Sequence, residues 1–553
     1  MAKYLLHFFI LLCMSASAQS PWYHHTTIYQ IYPRSFYDSN GDGIGDIQGI
    51  IQKLDHVKDM GYQTIWCSPF FKSPQKDFGY DISDYQAIAP EYGTMQDAEQ
   101  LIAEVHKRGM HIVFDMVMNH TSIEHPWFKA DVERGKADST KDFYIWRDKP
   151  TNWKSMTGGS GWQYNEQRKQ YFYASFLPFQ PDLNYRNPIV KETMLNNVRF
   201  WLKKGVDGFR LDIFNVIYKD GEFRNNPFMM KAVPSETDPS GFFQKAKYTI
   251  NQQESFAFAK ELRAVCNEFG DKMLLGEVSG DKATIKKFMG DEKNDGLGLV
   301  FNFEMLRYKM KASYFHELID GIEQNFAEPF MPVYVFSNHD RRRSIRRINN
   351  DMQKARLLHL MQLTVRGVPC MYYGEEIGMT DGHMPYKTAL DPIPHKYNLP
   401  RFLVDMNGET LNRDELRTPM QWNDTTNAGF STNNITWLPV NPDYKTVNVA
   451  AENADANSLM NSIKALLHLR KQHAVFANGD LKLIDKKLLP KNVLGYTRSY
   501  NGKEVLVLIN YSNGNKQVKL SKTYSNILYQ IDNSSNKKGD SVVLSPLGGI
   551  VLM

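Results

Sequence analysis

The chain has 553 residues, of which 42% are apolar, 13% aromatic and 23% charged. This composition excludes a disordered chain and is typical of a globular protein with large cores. The 66 basic and 61 acidic residues leave a formal net charge of only +5. No stripe of Lys and Arg interleaved with aromatics follows from the sequence, so we expect no nucleic-acid partner.

The N-terminus has the pattern of an export signal. Lys3 precedes an apolar run at 4–14, and an A-x-A cleavage pattern follows at 16–18. We predict a signal peptide at 1–18 and an exported protein, periplasmic or extracellular. A lipid anchor on Cys13 is the alternative, although leucines stand before it where lipoprotein signals have a small residue. No segment reaches the roughly 18 apolar residues of a spanning helix, so we expect no membrane span.

Three cysteines remain after the leader, namely Cys67, Cys266 and Cys370. Their odd number predicts no disulfide framework, and their spacings do not suit zinc. We expect three buried thiols.

Eight short β-branched or aromatic runs alternate with helical patterns. The predicted strands are 26–36, 63–69, 111–120, 208–212, 273–278, 299–304, 332–340 and 368–374, and helices are clearest at 97–108, 189–204 and 354–366. Eight strands alternating with helices favour an α/β fold, a (β/α)8 TIM barrel. We assign it to 19–120 and 186–473.

Two further regions depart from a plain barrel. Residues 121–185 are too many for an ordinary βα loop, so we predict an inserted domain there. Its aromatics Trp162, Phe172 and Phe176 are interpreted as its core, with a sugar platform as the alternative. After a helix at 459–472, short alternating strands and an Asn-Gly turn predict a C-terminal antiparallel β-sandwich at 474–553.

The stretch "DSNGDGIGDIQGI" at 38–50 resembles an EF-hand loop without its last ligand. Oxygen ligands at alternate positions suit Ca²⁺ or Mg²⁺, but the twelfth position, normally a bidentate Glu, is Gly49. The predicted ligands of a structural divalent cation are Asp38, Asn40, Asp42, the Ile44 carbonyl and Asp46. An ordinary Gly/Asp-rich turn is the alternative. We expect no organic cofactor.

Polar residues close several of the predicted strands. Active sites of barrels lie at the carboxyl ends of the strands, so these residues are the first candidates. They are Asp115, Asn119, His120, Arg210, Asp212, Glu277, His339 and Asp340. Three acids on three strand ends, attended by Arg and His, suit glycoside cleavage, which needs two carboxyl groups in different protonation states. Asp115 is interpreted as structural.

The segments "DMVMNH", "GFRLD", "GEV" and "FSNHD", in this order, resemble the four signature regions of the α-amylase superfamily, glycoside hydrolase family 13. "QPDLN" at 180–184 resembles a fifth region in the form typical of oligo-1,6-glucosidase and related exo-acting α-glucosidases. "RTPMQW" at 417–422 is similar to the same group. The resemblance extends over essentially the whole mature chain.

This resemblance implies roles for single residues. Asp212 resembles the nucleophile, Glu277 the acid/base and Asp340 the third acid. His120 and His339 resemble the pair that bonds sugar hydroxyls, and Arg210 would keep Asp212 ionised. Tyr80 would stack on the sugar, whereas Asp81 would pair with Arg417 and close the pocket floor. The expectation is a retaining α-glucosidase that acts on oligosaccharides or disaccharides, with α-1,6 and α-1,4 linkages both open.

Two alternatives belong to other function classes. Sucrose isomerases and trehalose synthases share the core of this family, but no "RLDRD" stretch precedes the seventh strand. Non-catalytic transporter subunits have lost catalytic acids, whereas this chain keeps all three. Ile213, directly after the predicted nucleophile, favours α-1,6 linkages. The arginine-rich stretch at 338–347 is interpreted as a solvated basic loop, with a role in shaping the acceptor side as the alternative. The oligomeric state is open.

Overall fold

The computed structural model describes residues 20–235, 237–397, 410–531 and 535–553. The predicted leader at 1–18 and Cys13 therefore lie outside the described residues. Cys67, Cys266 and Cys370 are free and buried, as expected. No helix within the described ranges is long and apolar enough to cross a membrane.

Eight parallel strands form the central sheet, and they match the eight predicted runs. They are β1 (Ile28–Ile31), β2 (Thr64–Cys67), β3 (His111–Met116), β4 (Gly208–Leu211), β5 (Met273–Gly276), β6 (Leu299–Val300), β7 (Val333–Val335) and β8 (Val368–Tyr372). Their order is β6-β5-β4-β3-β2-β1-β8-β7. A parallel bridge between Phe301 and Val333 joins the two ends of the sheet. The predicted (β/α)8 barrel is confirmed.

The inside of the barrel has an apolar layer and a polar layer. Ile28, Val113 and Met273 belong to one buried cluster inside it. Two positions further along β1 and β3 stand Gln30 and Asp115, and the register aligns Asp115 with Arg210 on β4. Alternate residues of a strand share a face, so the apolar lower layer supports a polar layer at the carboxyl end.

Eight principal helices accompany the strands. They are α1 (Ile47–Met60), α2 (Met95–Lys107), α3 (Pro188–Lys203), α4 (Gln253–Asn267), α5 (Lys282–Met289), α6 (Ala312–Asn325), α7 (Met352–Thr364) and α8 (Leu459–Gln472). The helices predicted at 97–108, 189–204, 354–366 and 459–472 correspond to α2, α3, α7 and α8. Thr94 and Asp97 form a capping box at the start of α2, which satisfies amides that the first turn leaves free.

Between β3 and α3 the chain forms a small unit of its own. A helix at Pro126–Arg134 is followed by a three-stranded antiparallel sheet of Trp146–Arg147, Trp162–Asn165 and Gln170–Tyr173. Trp162 and Phe172 are buried, as the core interpretation requires. Phe176 is half-buried and lies 5.9 Å from the Arg413 guanidinium, which places it beside the site described below.

The C-terminal region contains two antiparallel sheets. One has the order Asp480–Leu483, Val493–Tyr500, Lys503–Asn510, Gly549–Leu552 and Ile527–Gln530, and the other the order Lys516–Lys519, Ser541–Leu544 and Asn536–Lys538. Asn501 and Gly502 join the longest pair with φ of 48° and 74°, the left-handed turn that Asn-Gly favours. Val518 and Leu508, from different sheets, belong to one apolar cluster.

Candidate active site

A single guanidinium lies at the centre of the polar layer. Arg210 donates from Nη1 to both oxygens of Asp115 at 2.9 and 3.0 Å and to Asp212 at 2.9 Å. Its Nη2 donates to Oε2 of Glu277. β3, β4 and β5 are neighbours in the sheet, so residues at the same level of these strands converge on one point. Two of the three predicted catalytic acids thus contact the same cation.

Burial shapes the electrostatics of these carboxyl groups. It raises the pKa of Asp212 well above the ordinary value; the Arg210 charge opposes this rise and Glu277 adds to it. The pKa of Asp115 is raised to about 6, again by burial and against Arg210. Asp115 also accepts from Trp66 Nε1 at 3.1 Å and from the Tyr80 hydroxyl at 3.2 Å. Together with Arg210, three buried side chains therefore donate to Asp115. This contact set fits the structural role predicted for Asp115.

The third acid, Asp340, follows β7 and faces cations from another part of the chain. Arg417 donates to its Oδ1 at 2.9 Å, Arg413 lies 3.4 Å from the same oxygen, and Nε2 of His339 is 3.2 Å from Oδ2. Burial opposes ionisation of Asp340, but His339, Arg413 and Arg417 outweigh it and hold the pKa well below the ordinary value. Asp340 is therefore ionised.

The predicted sugar-binding residues surround these acids. Tyr80 and His339 have nearly parallel rings with centroids 5.3 Å apart, and Tyr80 Oη lies 2.6 Å from His339 Nε2. His120 Nε2 lies 3.2 Å from the Tyr80 carbonyl oxygen. Burial lowers the pKa of His120 and His339 to about 4, so both are neutral at neutral pH and can exchange hydrogen bonds with hydroxyls.

The predicted pair of Asp81 and Arg417 is wrong. The oxygens of Asp81 accept from the Ser73 hydroxyl at 2.8 Å and from the backbone amides of Lys76 and Asp77, each at 3.0 Å. Asp81 is thus occupied by the turn that precedes it. Arg417 donates to Asp340 and, through Nε, to the His339 carbonyl at 3.0 Å.

The pair that closes this end of the site is Asp77 and Arg413. Arg413 Nη2 donates to Asp77 at 2.6 Å and to Asp391 at 2.8 Å. Gln180, from the "QPDLN" segment, donates to the other oxygen of Asp77 at 2.9 Å. All these side chains are buried, so the charged cluster forms a wall beside Asp340.

Two sequence signals could have indicated this wall. Asp77 stands three residues before Tyr80, and Arg413 four residues before Arg417. Gly79, with φ of 102°, lies so close to the Pro69 carbonyl that a Cβ would come within 2.7 Å. That tight turn directs Asp77 and Tyr80 to the site and Asp81 into the turn.

Ile213 follows the predicted nucleophile with φ of 31° and ψ of 46°. This left-handed conformation is costly for a β-branched residue, by about 1–3 kcal/mol. Its backbone N–H lies 3.3 Å from Oε2 of Glu277. The strained turn therefore gives the acid/base candidate a hydrogen-bond donor.

The structure does not assemble the predicted cation ligands. Asp38, Asn40 and Asp42 each accept the amide N–H two residues ahead, and Asp46 caps α1 by accepting from Gly49 at 2.6 Å. In the ranges that the structure describes, no three Asp, Glu, His or Cys side chains are grouped to hold a metal ion. The loop has only oxygen donors, which fit a hard cation by type, but its carboxylates serve its own backbone.

The arginine-rich loop is not simply solvated. Arg346 is exposed, but Arg342 and Arg343 are buried. Arg343 Nη1 donates to the Tyr373 carbonyl at 2.7 Å. The loop after Asp340 is thus fixed to the end of β8, and the interpretation of this loop as solvated is wrong for these two residues.

Comparisons with known proteins identify the family. The family model "Alpha amylase, catalytic domain" matches residues 30–479. The chain therefore belongs to the alpha-amylase family, and it is a glycoside hydrolase of that family. An alpha-glucosidase of Apis mellifera is 36% identical, over 95% of this chain and 93% of the relative. An oligo-1,6-glucosidase of Parageobacillus thermoglucosidasius is 37% identical, over 89% of this chain and 90% of the relative.

Solved structures show the same architecture. An alpha-glucosyl transfer enzyme, XgtA, superposes with a TM-score of 0.87 at 33% identity, covering 97% of this chain and 99% of that one. The trehalulose synthase MutB from Pseudomonas mesoacidophila MX-45 gives 0.86 at 30% identity, covering 97% and 99%. Hydrolysis and glucosyl transfer are thus both represented among similar proteins.

Proposed function

We propose that this protein is an exo-acting retaining α-glucosidase, which releases glucose from the non-reducing ends of short α-glucans of the isomaltose and maltose type. The observation that carries the proposal is the shared contact of Asp212 and Glu277 with Arg210, beside a wall formed by Asp77 and Arg413. A wall at one end leaves room for a terminal sugar and blocks an internal chain segment.

The chemistry assigns one bond change to each acid. Asp212 attacks the anomeric carbon and forms a glucosyl ester, while Glu277 gives its proton to the departing oxygen. Glu277 then takes a proton from water, whose oxygen attacks the same carbon and releases Asp212. The two displacements together retain the anomeric configuration, which requires carboxyl groups about 5–5.5 Å apart. Asp340 would bind hydroxyls of the distorted sugar.

The deciding experiment is a product analysis. Purified protein is incubated with maltose, isomaltose, sucrose, trehalose and starch, and the first anomer is read by NMR. We expect α-glucose from the two glucose disaccharides and little attack inside starch. A β-glucose product would contradict retention, and rapid loss of starch viscosity would contradict exo action.

Linkage preference follows from the position after the nucleophile. Ile213 follows Asp212 directly and its backbone N–H lies near Glu277, and we propose that its branched side chain favours α-1,6 over α-1,4 linkages. Differences of apolar bulk discriminate by only about 10–200-fold, so both activities should be measurable. Ile213→Ala should lower the ratio of isomaltose to maltose kcat/KM.

Glucosyl transfer is the second candidate function. It is supported by similarity to an alpha-glucosyl transfer enzyme and to a trehalulose synthase at 30–33% identity. The glucosyl ester of Asp212 can be attacked by a sugar hydroxyl instead of water. Sucrose converted into a rearranged disaccharide, with little free glucose, would favour this function over hydrolysis.

Two further proposals concern the environment of the enzyme. Residues 1–18 carry the pattern of an export signal, so we propose an exported protein with a mature N-terminus near Gln19, which mass spectrometry of secreted protein would test. The loop at 38–46 offers oxygen donors, so we propose that it binds Ca²⁺ or Mg²⁺ as a structural ion. Excess chelator should lower the melting temperature, and an unchanged melt would reject the ion.

A further inference from the structure

Gln30 is a buried amide in the polar layer to which the mechanism above gives no role. It stands near the end of β1 with 1% of its surface exposed. Its Nε2 lies 2.8 Å from Nδ1 of His339 and 3.2 Å from the Ser68 hydroxyl. β1 pairs with β2 and β8 on its two sides, so the backbone of Gln30 is held on both sides.

The surroundings of His339 determine where its ring proton lies. Nε2 faces Oδ2 of Asp340 at 3.2 Å. An ionised carboxylate can only accept, so this nitrogen must carry hydrogen. Because burial lowers the pKa of His339 to about 4, the ring is neutral and Nδ1 has a lone pair. The donor within reach of this lone pair is the amide N–H of Gln30.

Other charged groups also face this ring. Arg417 donates to the His339 carbonyl, and Arg210 lies on the far side of Tyr80, whose hydroxyl is 3.2 Å from Asp115. Both guanidiniums oppose protonation of the ring, whereas Asp340 favours it. The Tyr80 hydroxyl accepts from Nε2 and can donate to Asp115.

We propose that Gln30 is a positioning residue that fixes His339 as the Nε2–H tautomer. The hydrogen bonds then run in one direction, from Gln30 through His339 and Tyr80 to Asp115. The effect of this tautomer on substrate binding rests on the proposed function. The tautomer itself does not.

Two substitutions separate this role from simple packing. Gln30→Met removes the donor, and we expect kcat/KM to fall about 10- to 100-fold, as for other partners that orient a functional histidine. Gln30→Glu keeps the shape but accepts from Nδ1, so His339 would hold two protons and its pKa would rise. We expect a new ionisation between about pH 5 and 8 in the profile of kcat/KM.

A second buried glutamine–histidine pair provides a control for packing. Oε1 of Gln362 on α7 lies 2.9 Å from Nδ1 of a buried histidine, His359, away from the site. Gln362→Met and Gln362→Glu should lower the melting temperature to an extent similar to that of the corresponding Gln30 variants. Their pH profiles and KM values should match the wild type.

The outcomes are distinguishable. A folded Gln30→Glu enzyme with the wild-type pH profile would overturn the proposal, as would a loss in Gln30→Met no larger than in Gln362→Met. If Gln30→Met does not fold, ¹⁵N NMR of histidine-labelled Gln30→Glu carries the test, with His339→Gln identifying the signal. We expect an unprotonated Nδ1 in the wild type, and a protonated one would overturn the proposal. A wild type without glucosidase activity would refute the proposed function and leave this measurement valid.

Discussion

Two groups of buried arginines in this molecule have different partners. At the carboxyl end of the barrel, Arg210, Arg413 and Arg417 donate to carboxylates; we call them the site arginines. Between the barrel and the C-terminal sheets, Arg470 and Arg498 donate to backbone carbonyls; we call them the interface arginines. All five are buried.

The two sets differ in their electrostatics. Neighbouring carboxylates raise the pKa of Arg210 and Arg413 well above the ordinary value, although burial opposes this. Burial lowers the pKa of Arg470 to about 9 and that of Arg498 to about 10. A guanidinium is charged in either setting. The same residue type therefore serves charge balance in one region and backbone capping in the other.

Carbonyl capping has a local cause. Arg470 Nη1 donates to the Leu363 carbonyl at 3.1 Å and its Nη2 to the Gly367 carbonyl at 2.6 Å, and Arg498 donates to the Thr364 carbonyl at 2.7 Å. These carbonyls belong to the C-terminal end of α7 and the turn to β8, where acceptors have no partner within the helix. A cation is favoured at that end of a helix.

The largest expected effect comes from the site arginines. Arg210→Lys keeps a positive charge but cannot contact Asp115, Asp212 and Glu277 together. Asp212, whose pKa burial already raises, would then lose part of the charge that opposes this rise, so it would ionise less readily and attack poorly. We expect kcat/KM on an aryl α-glucoside to fall about 10²- to 10³-fold, as is common when an electrostatic contact made in the transition state is lost.

A surface arginine with two carboxylate partners provides the control. Arg199 lies 2.9 Å from both Glu192 and Glu268, and these carboxylates are largely exposed. Arg199→Lys should leave kcat/KM within about twofold, because exposed ion pairs contribute little. Comparable activity in Arg210→Lys and Arg199→Lys would contradict the special role of the buried guanidinium.

The interface arginines should affect stability and spare activity. Arg470→Met leaves buried carbonyls of the α7 end without a donor, at a cost of about 3 kcal/mol of unfolding free energy. Thermal melts should show a clear decrease, while kcat of the folded enzyme stays unchanged. Lys471→Met, exposed on the same helix, is the control and should melt as the wild type does. A loss of kcat without a lower melt would place Arg470 in the site.

Arg413 tests whether the wall sets exo action. Arg413→Lys loses the fork that holds Asp77 and Asp391, so we expect kcat/KM on isomaltose to fall about 10- to 100-fold. The ratio of activity on long chains to activity on disaccharides should rise as the closed end opens. Asp81→Asn is the comparison variant and should keep the preference for terminal glucose. If Asp81→Asn changes that preference and Arg413→Lys does not, the result would support the predicted pair of Asp81 and Arg417 instead of the wall.

This correction illustrates what the sequence could predict. Strands, their order and the acids at their ends follow from alternating patterns and from motifs several residues long. The wall depends on which of two arginines, four residues apart, contacts Asp77, and on a turn at Gly79 that sends Asp77 rather than Asp81 to the site. Such choices are made by packing between distant segments, here 77, 180, 391 and 413, which a local pattern does not contain.

The cation loop stays a prediction for a related reason. Alternating oxygen residues are required for an EF-hand type of site, but they are equally suited to a ladder of turns in which each side chain accepts an amide two residues ahead. Asp46 serves the backbone in another way, since its carboxylate caps α1 by accepting from the Gly49 amide. The pattern fixes the donor atoms available, whereas the direction in which they point is a property of the folded loop.

The smallest expected effect concerns a buried histidine that is neutral in the folded protein. His125 is buried at the start of the helix Pro126–Arg134, where Nδ1 accepts the Trp127 amide at 3.1 Å, and burial lowers its pKa to about 3. Like the interface arginines, it bonds a backbone group at a helix end, but it stays neutral where a guanidinium cannot. The unfolded chain binds a proton at His125 near pH 6.5, whereas the folded chain does not, so stability is lost as pH falls from about 6.5 towards 3.

His125→Asn keeps a capping oxygen and removes the titration. Between pH 6.5 and 4 its melting temperature should fall less steeply than that of the wild type, by the equivalent of up to one proton or about 1.4 kcal/mol per pH unit; parallel melting curves against pH would show that His125 is already protonated in the fold.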